Sequence, residues 1–366
     1  MKPIKFVTSL LLTLSAAILI GNLFQFNLGA FILVLFVTGL LFKMPKGVSL
    51  MAIQKEIWQN DIVGNLFKNN QFAEAAYNAD QYVLGGAVVH VPNAGAPLAS
   101  QKNATVFPIT GVQRTDSDVI YPIDKYFQAP QFVQNVEEAE LSYDKRQSIM
   151  GEQQAQLIQD SMDGFLYNLA WKTPAVIGNT KANYVLTTGA PTATDVVPNA
   201  VGSRKVFTQD VFSAIVKAMN AANIPGDNRI ALLTAYHHQQ FLDSLSDAAK
   251  TGFNAFADMK NGVVGMFLGF KFMMRSTVQY WRNTAGVWAP VDTQAAGFTA
   301  SDKSNDSAAS LIYQSSCIER ARGDVKVFDN ADRAEYYGDL MSCNMRFGGR
   351  QRRSAGVWAV IEDIAA

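Results

Sequence analysis

The chain has 366 residues, with 31 lysines and arginines against 31 aspartates and glutamates. That length allows one large domain or two ordinary ones with a real core, and the balanced charge excludes sequence-independent gripping of nucleic acid as the main work. Two cysteines, Cys317 and Cys343, exclude a disulfide framework, and no Cys/His spacing suits zinc.

The chain opens on an apolar leader, residues 1–50. No charge falls between Phe6 and Phe42, and Lys2, Lys5, Lys43 and Lys46 bound the stretch. As one helix it would run roughly 55 Å at ~1.5 Å per residue, nearly twice the ~30 Å hydrocarbon core. The polar break GNLFQFNLG at 21–29 divides it into 6–24 and 28–42. Two readings stay open: a transmembrane helical hairpin with both ends cytoplasmic, or a segment absent from the mature protein through proteolysis or initiation at Met51. A cleaved secretory signal fits less well, because the apolar run continues past the small-residue patch at 15–17.

From Met51 the chain reads as a fresh start. Ile53, Ile57, Trp58, Leu66 and Phe67 supply an apolar stripe at helical spacing, so 51–80 reads as an arm that packs on something else. QYVLGGAVVHVP (81–92) and DVIYPIDKYF (118–127) read as the two sides of a long hairpin-like loop over 81–127 with a polar tip. A loop of that length needs a function or a partner to rest on.

Residues 141–174 predict a long helix capped by Ser142 and stopped by Pro174, with Ile158, Met162, Phe165 and Leu169 on its core face. Its Gln- and Lys-rich face reads as solvated or as a polar interface. After a Pro/Gly/Thr-rich connector at 187–204, a second unit begins. It reads as a helix from Thr208 to Pro225–Gly226, a buried strand at 230–235, a short helix at 236–245, and a helix or loop at 262–278 that turns into a strand at Gly269. Short strands follow at 310–316, 324–329, 335–347 and 355–363, with GGRQRRS as a basic turn between the last two. The class is α+β, with long-range pairing between the chain's ends.

Chemistry is thin. Ser142–Lys145 forms Ser-x-x-Lys and residues 250–252 form Lys-Thr-Gly, as in serine penicillin-recognising enzymes, where the lysine activates the serine. The middle Ser-x-Asn element is missing, so a helix cap and a loop are the plainer reading. His90, His237 and His238 read as surface or interface residues; adjacent His237 and His238 point to different helix faces and cannot act as an i, i+4 ligand pair. No cofactor or metal is expected, and no catalytic residue is assigned. Arg346, Arg350, Arg352 and Arg353 read either as contacts to phosphate or acidic groups across an interface, or as a solvated turn.

The order of parts resembles the major capsid proteins of tailed phages, with the Hong Kong 97-type fold. The resemblance rests on an amphipathic arm, an extended loop, a very long helix, and a helix–strand unit carrying Pro225, Arg229 and Ile230 to Leu233, then Gly265, Gly269, Phe270, Phe272 and Ser276. It implies an arm at 51–80, an extended loop at 81–127 overlapping a neighbouring subunit, and a peripheral domain at 128–207 with a spine helix at 141–172. It further implies an axial domain at 208–345 and a C-terminal strand, 346–366, returning to the peripheral domain. The function implied is an icosahedral shell in the virion, assembled in the host cytoplasm from hexamers and pentamers of this chain. Portal, scaffolding or decoration proteins would be further partners, DNA would be contacted only indirectly, and a membrane would be met through 6–42. Ile53, Ile57, Trp58, Tyr82, Val89, Lys102, Tyr121 and Tyr126 are the expected inter-subunit contacts. Some relatives form Lys–Asn cross-links; Lys102 and Asn103 lie near the loop tip, but nothing here supports that chemistry. The apolar leader departs from the polar, cleaved segment common in that family. The alternatives are a membrane-anchored bacterial protein with a cytoplasmic partner-binding α+β domain, and the serine acyl-enzyme.

Overall fold

A computed structural model describes residues 58–62, 65–66, 70–84, 88–93, 102–103, 113, 117–134, 145–170, 183–193, 201–294, 304–333, 335 and 337–365. The chain divides into two units, Met1–Glu56 and Ile57–Ala366, and every described residue belongs to the second. The leader, Ile53, Ile57, Ser142 and Pro174 lie outside the described residues.

The architecture is α+β, as expected. One sheet of five strands is built on β16 (Ile318–Arg333) and β17 (Gly338–Gln351), which pair antiparallel along most of their length. Strand β1 (Tyr77–Asn78) lies parallel on the free edge of β16. On the other edge of β17 lie β5 (Asp124–Phe127) and β6 (Gln131–Gln134), one after the other. The long helix α1 (Lys145–Asn168) packs on this sheet, with the rings of Phe165 and Phe347 5.6 Å apart. Its 24 residues span about 36 Å at ~1.5 Å per residue. Ile158, Met162, Phe165 and Leu169 are all buried, so the 3.6-residue stripe seats the helix. The Gln-rich face is not wholly solvated: Gln153 and Gln154 are buried too. The helix ends before Pro174, and the Gln351 side-chain amide donates to the Leu169 carbonyl that the helix leaves unpaired.

The second sheet has eight strands. Its centre is β10 (Arg229–Thr234), buried throughout, between β12 (Phe270–Arg275) and β15 (Asp306–Gln314). A continuous apolar run suits a strand covered on both faces. Strand β11 (Val263–Phe267) forms a hairpin with β12 through Leu268 and Gly269, both at positive φ. This corrects the expectation of a helix or loop at 262–268: a two-residue turn of the primed type joins two strands. Strands β13 (Gln279–Thr284) and β14 (Val287–Val291) extend the sheet. Helices α2 (Gln209–Ala221), α3 (Ala235–Ser244) and α4 (Asp247–Asn254) pack aromatic side chains against it; Phe241 stacks on Phe272 at 4.9 Å, and Phe212 lies 5.1 Å from the same ring.

The boundary expected at residue 345 is not where the sheets divide. β16 and β17 belong to the sheet under the long helix. The last strand, β18 (Val357–Ile361), lies along β15 in the eight-stranded sheet, with β7 (Tyr184–Leu186) on its far edge. The GGRQRRS segment is likewise not a turn until Arg352: β17 runs through Gln351.

Arg229 explains the Pro-to-Arg pattern. Its guanidinium donates to the carbonyls of Pro225 at 2.8 Å and Ile224 at 2.6 Å, and to the Asn220 side chain at 2.8 Å. One buried arginine thus ties the end of α2 to the start of β10, satisfying carbonyls that would otherwise be buried unpaired.

Candidate inter-subunit surfaces

The loop expected at 81–127 is rooted in a three-stranded sheet of β2 (Val83–Leu84), β3 (Val88–Asn93) and β4 (Ser117–Pro122), in register from Val88 opposite Pro122 to Asn93 opposite Ser117. Val89 and Tyr121 face each other across it and are buried with Ala79, Ile123 and Ala321. This corrects two expected contacts: their side chains fill the root of the hairpin inside the chain's own interior. Side chains alternate along a strand, so Ile120, 54% exposed, presents the outer face instead. Tyr82 is half-buried against the same cluster.

Tyr126 is also turned inward. It lies under α1 at Gly164, where any Cβ would overlap its hydroxyl. Burial, then nearby carboxylates led by Asp124, raise its pKa above the usual tyrosine value. Trp58 is half-buried against the main core. Lys102 is exposed, next to Asn103 in a left-handed conformation (φ 55°).

Arg346 and Arg350 share one face of β17, and Arg352 and the exposed Arg353 follow the strand's end. Arg346 lies mid-strand in β17, opposite Lys125. Arg350 is opposite Glu319 and exposed. Arg352 lies over the Tyr77 ring at 4.2 Å and 3.5 Å from the Glu319 carboxylate, so it is engaged within the chain. Burial raises the Glu319 pKa, and Arg352 opposes that.

Enzyme-like groupings fail on access. His237 is fully buried, which corrects its reading as a surface residue. Its Nδ1 lies 2.6 Å from Ser310 Oγ and its Nε2 3.2 Å from Glu362. Ser, His and Glu in this order resemble a hydrolytic triad. All three are sealed, however, inside the sheet and α3, where no substrate carbonyl can reach the serine. Arg204, in the connector, is buried as well and donates to Ser307 Oγ and the Asp306 carbonyl. Lys250 of the Lys-Thr-Gly element lies on helix α4, not on a strand beside a pocket. Among the described residues no group of three or more His, Cys, Asp or Glu is arranged to hold a metal ion. No helix among them is long and apolar enough to cross a membrane.

One surface was not legible in the sequence. The face of the five-stranded sheet opposite α1 carries Phe127, Phe132 and Phe328, which are 71%, 51% and 44% exposed. Register places Phe127 opposite Asn344, Phe132 opposite Leu340 and Phe328 opposite Ser342, so the three rings surround the middle of β17. Lys125, Lys326 and Arg346 share that face. Only the pairing of three distant segments reveals it.

No family model and no curated protein matches this chain. Solved structures do. The capsid of Ralstonia phage GP4 is 13% identical, covers 80% of this chain and 88% of its own, and superposes with a TM-score of 0.55. The mature capsid of bacteriophage PhiM1 is 11% identical, covers 78% and 84%, and gives 0.50. The fold is the Hong Kong 97-type capsid fold. Within it, the rooted hairpin, α1 on the five-stranded sheet and the eight-stranded sheet account for nearly all the described chain. A fold does not by itself assign a function, and a site must be argued from residues.

Proposed function

We propose that this chain is a major capsid protein that self-associates into hexamers and pentamers and closes them into an icosahedral virion shell. The observation that carries the reading is the match of fold to the GP4 capsid over four-fifths of the chain. The physical reading agrees with it. The root of the hairpin packs on the chain through Val89 and Tyr121, while Ile120 and the rings of Phe127, Phe132 and Phe328 stand exposed. Such faces are satisfied by neighbours.

In this reading α1 is the spine and the five-stranded sheet the peripheral body. The eight-stranded sheet is the axial body at the capsomer centre, and the hairpin overlaps the next subunit. The role is structural. Negative-stain electron microscopy of the purified full-length chain tests it: closed shells or capsomer rings are expected, and a monodisperse monomer would overturn it. The same measurement on a chain started at Met51 shows whether the leader is needed for assembly.

A further inference from the structure

We infer that the phenylalanine-bearing face of the five-stranded sheet takes an acidic, apolar segment of a second copy, residues 135–144 (NVEEAELSYD). The inference rests on the shell reading, since it needs a neighbour in contact.

The face has a definite chemistry. The charged side chains that register places around the three rings are cations, Lys125, Lys326 and Arg346; Glu319 and Arg350 lie on the same face further along, where Glu319 is buried beside Tyr121 at the hairpin root. Phe127, Phe132 and Phe328 add a cluster of exposed rings. An exposed apolar patch of this kind marks a contact surface. Duplex phosphates would pair with the cations but offer nothing to cover three rings. The same face of another copy would set cations against cations, which disfavours a two-fold contact. The fitting occupant therefore supplies carboxylates and apolar side chains together.

This chain contains one such run. Residues 137–140 are the only place where three carboxylates fall within four residues. The segment 135–144 carries Glu137, Glu138, Glu140 and Asp144 with Val136, Leu141 and Tyr143, and no lysine or arginine. Extended, ten residues reach about 33 Å, enough to cross several strands spaced ~4.8 Å apart. Opposite charges would set the register and the approach, while the rings supply the buried contact.

The test uses a fluorescein-labelled peptide of residues 135–144, titrated by fluorescence polarisation into the full-length chain carrying E137K and E138K. In that chain the intrinsic segment no longer competes. Saturable, salt-weakened binding is expected, at least tenfold weaker when K125E and K326E, or F127A and F328A, are added to the receptor. These side chains are exposed, and circular dichroism checks that the variants fold. In assembly, E137K/E138K and K125E/K326E are each expected to block particles in electron micrographs, and the four changes together to restore them. Absent binding, or binding indifferent to Lys125 and Lys326, overturns the inference. So does a duplex oligonucleotide bound through these lysines in place of the peptide. Wild-type particles without peptide binding would remove this contact and leave the shell reading standing; peptide binding without wild-type particles would do the reverse.

Discussion

The Nε of Arg352 lies 3.5 Å from Oε2 of Glu319, and the pair joins the turn after β17 to the start of β16 just where the hairpin is rooted. Glu319 is buried, and Tyr121 of β4 packs beside it, its pKa raised by burial and by the Glu319 charge. One carboxylate therefore senses the hairpin, the sheet and the C-terminal turn together.

Glu319 makes stability depend on pH. Its pKa is raised in the folded chain, so the native state holds the proton more tightly than the unfolded one. Its unfavourable contribution is absent below the ordinary glutamate pKa and grows as pH rises through the raised value. Urea unfolding at pH 4 to 7.5 is expected to show E319Q gaining stability relative to the wild type as pH rises. A difference flat in pH would show that the carboxylate is solvated. R352A leaves the buried carboxylate without its cation and is expected to cost about 1–3 kcal/mol at neutral pH.

Two glycines allow helix and sheet to touch. A Cβ at Gly349 would overlap both the Phe165 ring and the Glu319 backbone carbonyl. G349A is expected to lose about 1–3 kcal/mol, and shortening Phe165 will not rescue it, because the carbonyl remains. The nearest atoms a Cβ at Gly164 would meet all belong to the Tyr126 side chain, so Y126F, which removes the tightest contact, should recover part of the G164A loss. A double-mutant cycle in urea separates the two cases.

The Ser310–His237–Glu362 group is expected to be chemically silent. A fluorophosphonate probe should leave Ser310 unlabelled in the folded chain; stoichiometric labelling would show an open site. H237A should instead cost stability, about 1–3 kcal/mol, because it removes a buried ring and its contact to the Ser310 hydroxyl.

Both cysteines are buried, and burial pushes the Cys343 thiol up to about 11. Neither should react with Ellman's reagent at pH 8 until the chain unfolds, since the thiolate is the reactive form. Rapid reaction of the folded protein would contradict the packing of β16 against β17.

Periodic features were legible in the sequence. The stripe Ile158, Met162, Phe165 and Leu169 specified the seated face of the long helix, and the run Ile230 to Leu233 a strand covered on both sides. The order of elements was enough for the capsid fold. Features that depend on parity were not. Val89 and Tyr121 looked like contacts and proved to be root, because shifting by one residue along a strand exchanges inside for outside. Gly349 looked like part of a turn and proved to be a place where helix and strand approach too closely for a side chain.

The sequence by itself determined class, element order and core stripes, because local periodicity is written within a few residues of each position. Only the tertiary structure decided which face of each strand meets water and which sheet receives the last strand. It alone brought Lys125, Phe127, Lys326 and Phe328 onto one surface. Those outcomes depend on pairing between segments some two hundred residues apart, and no local pattern encodes a register that distant residues must complete.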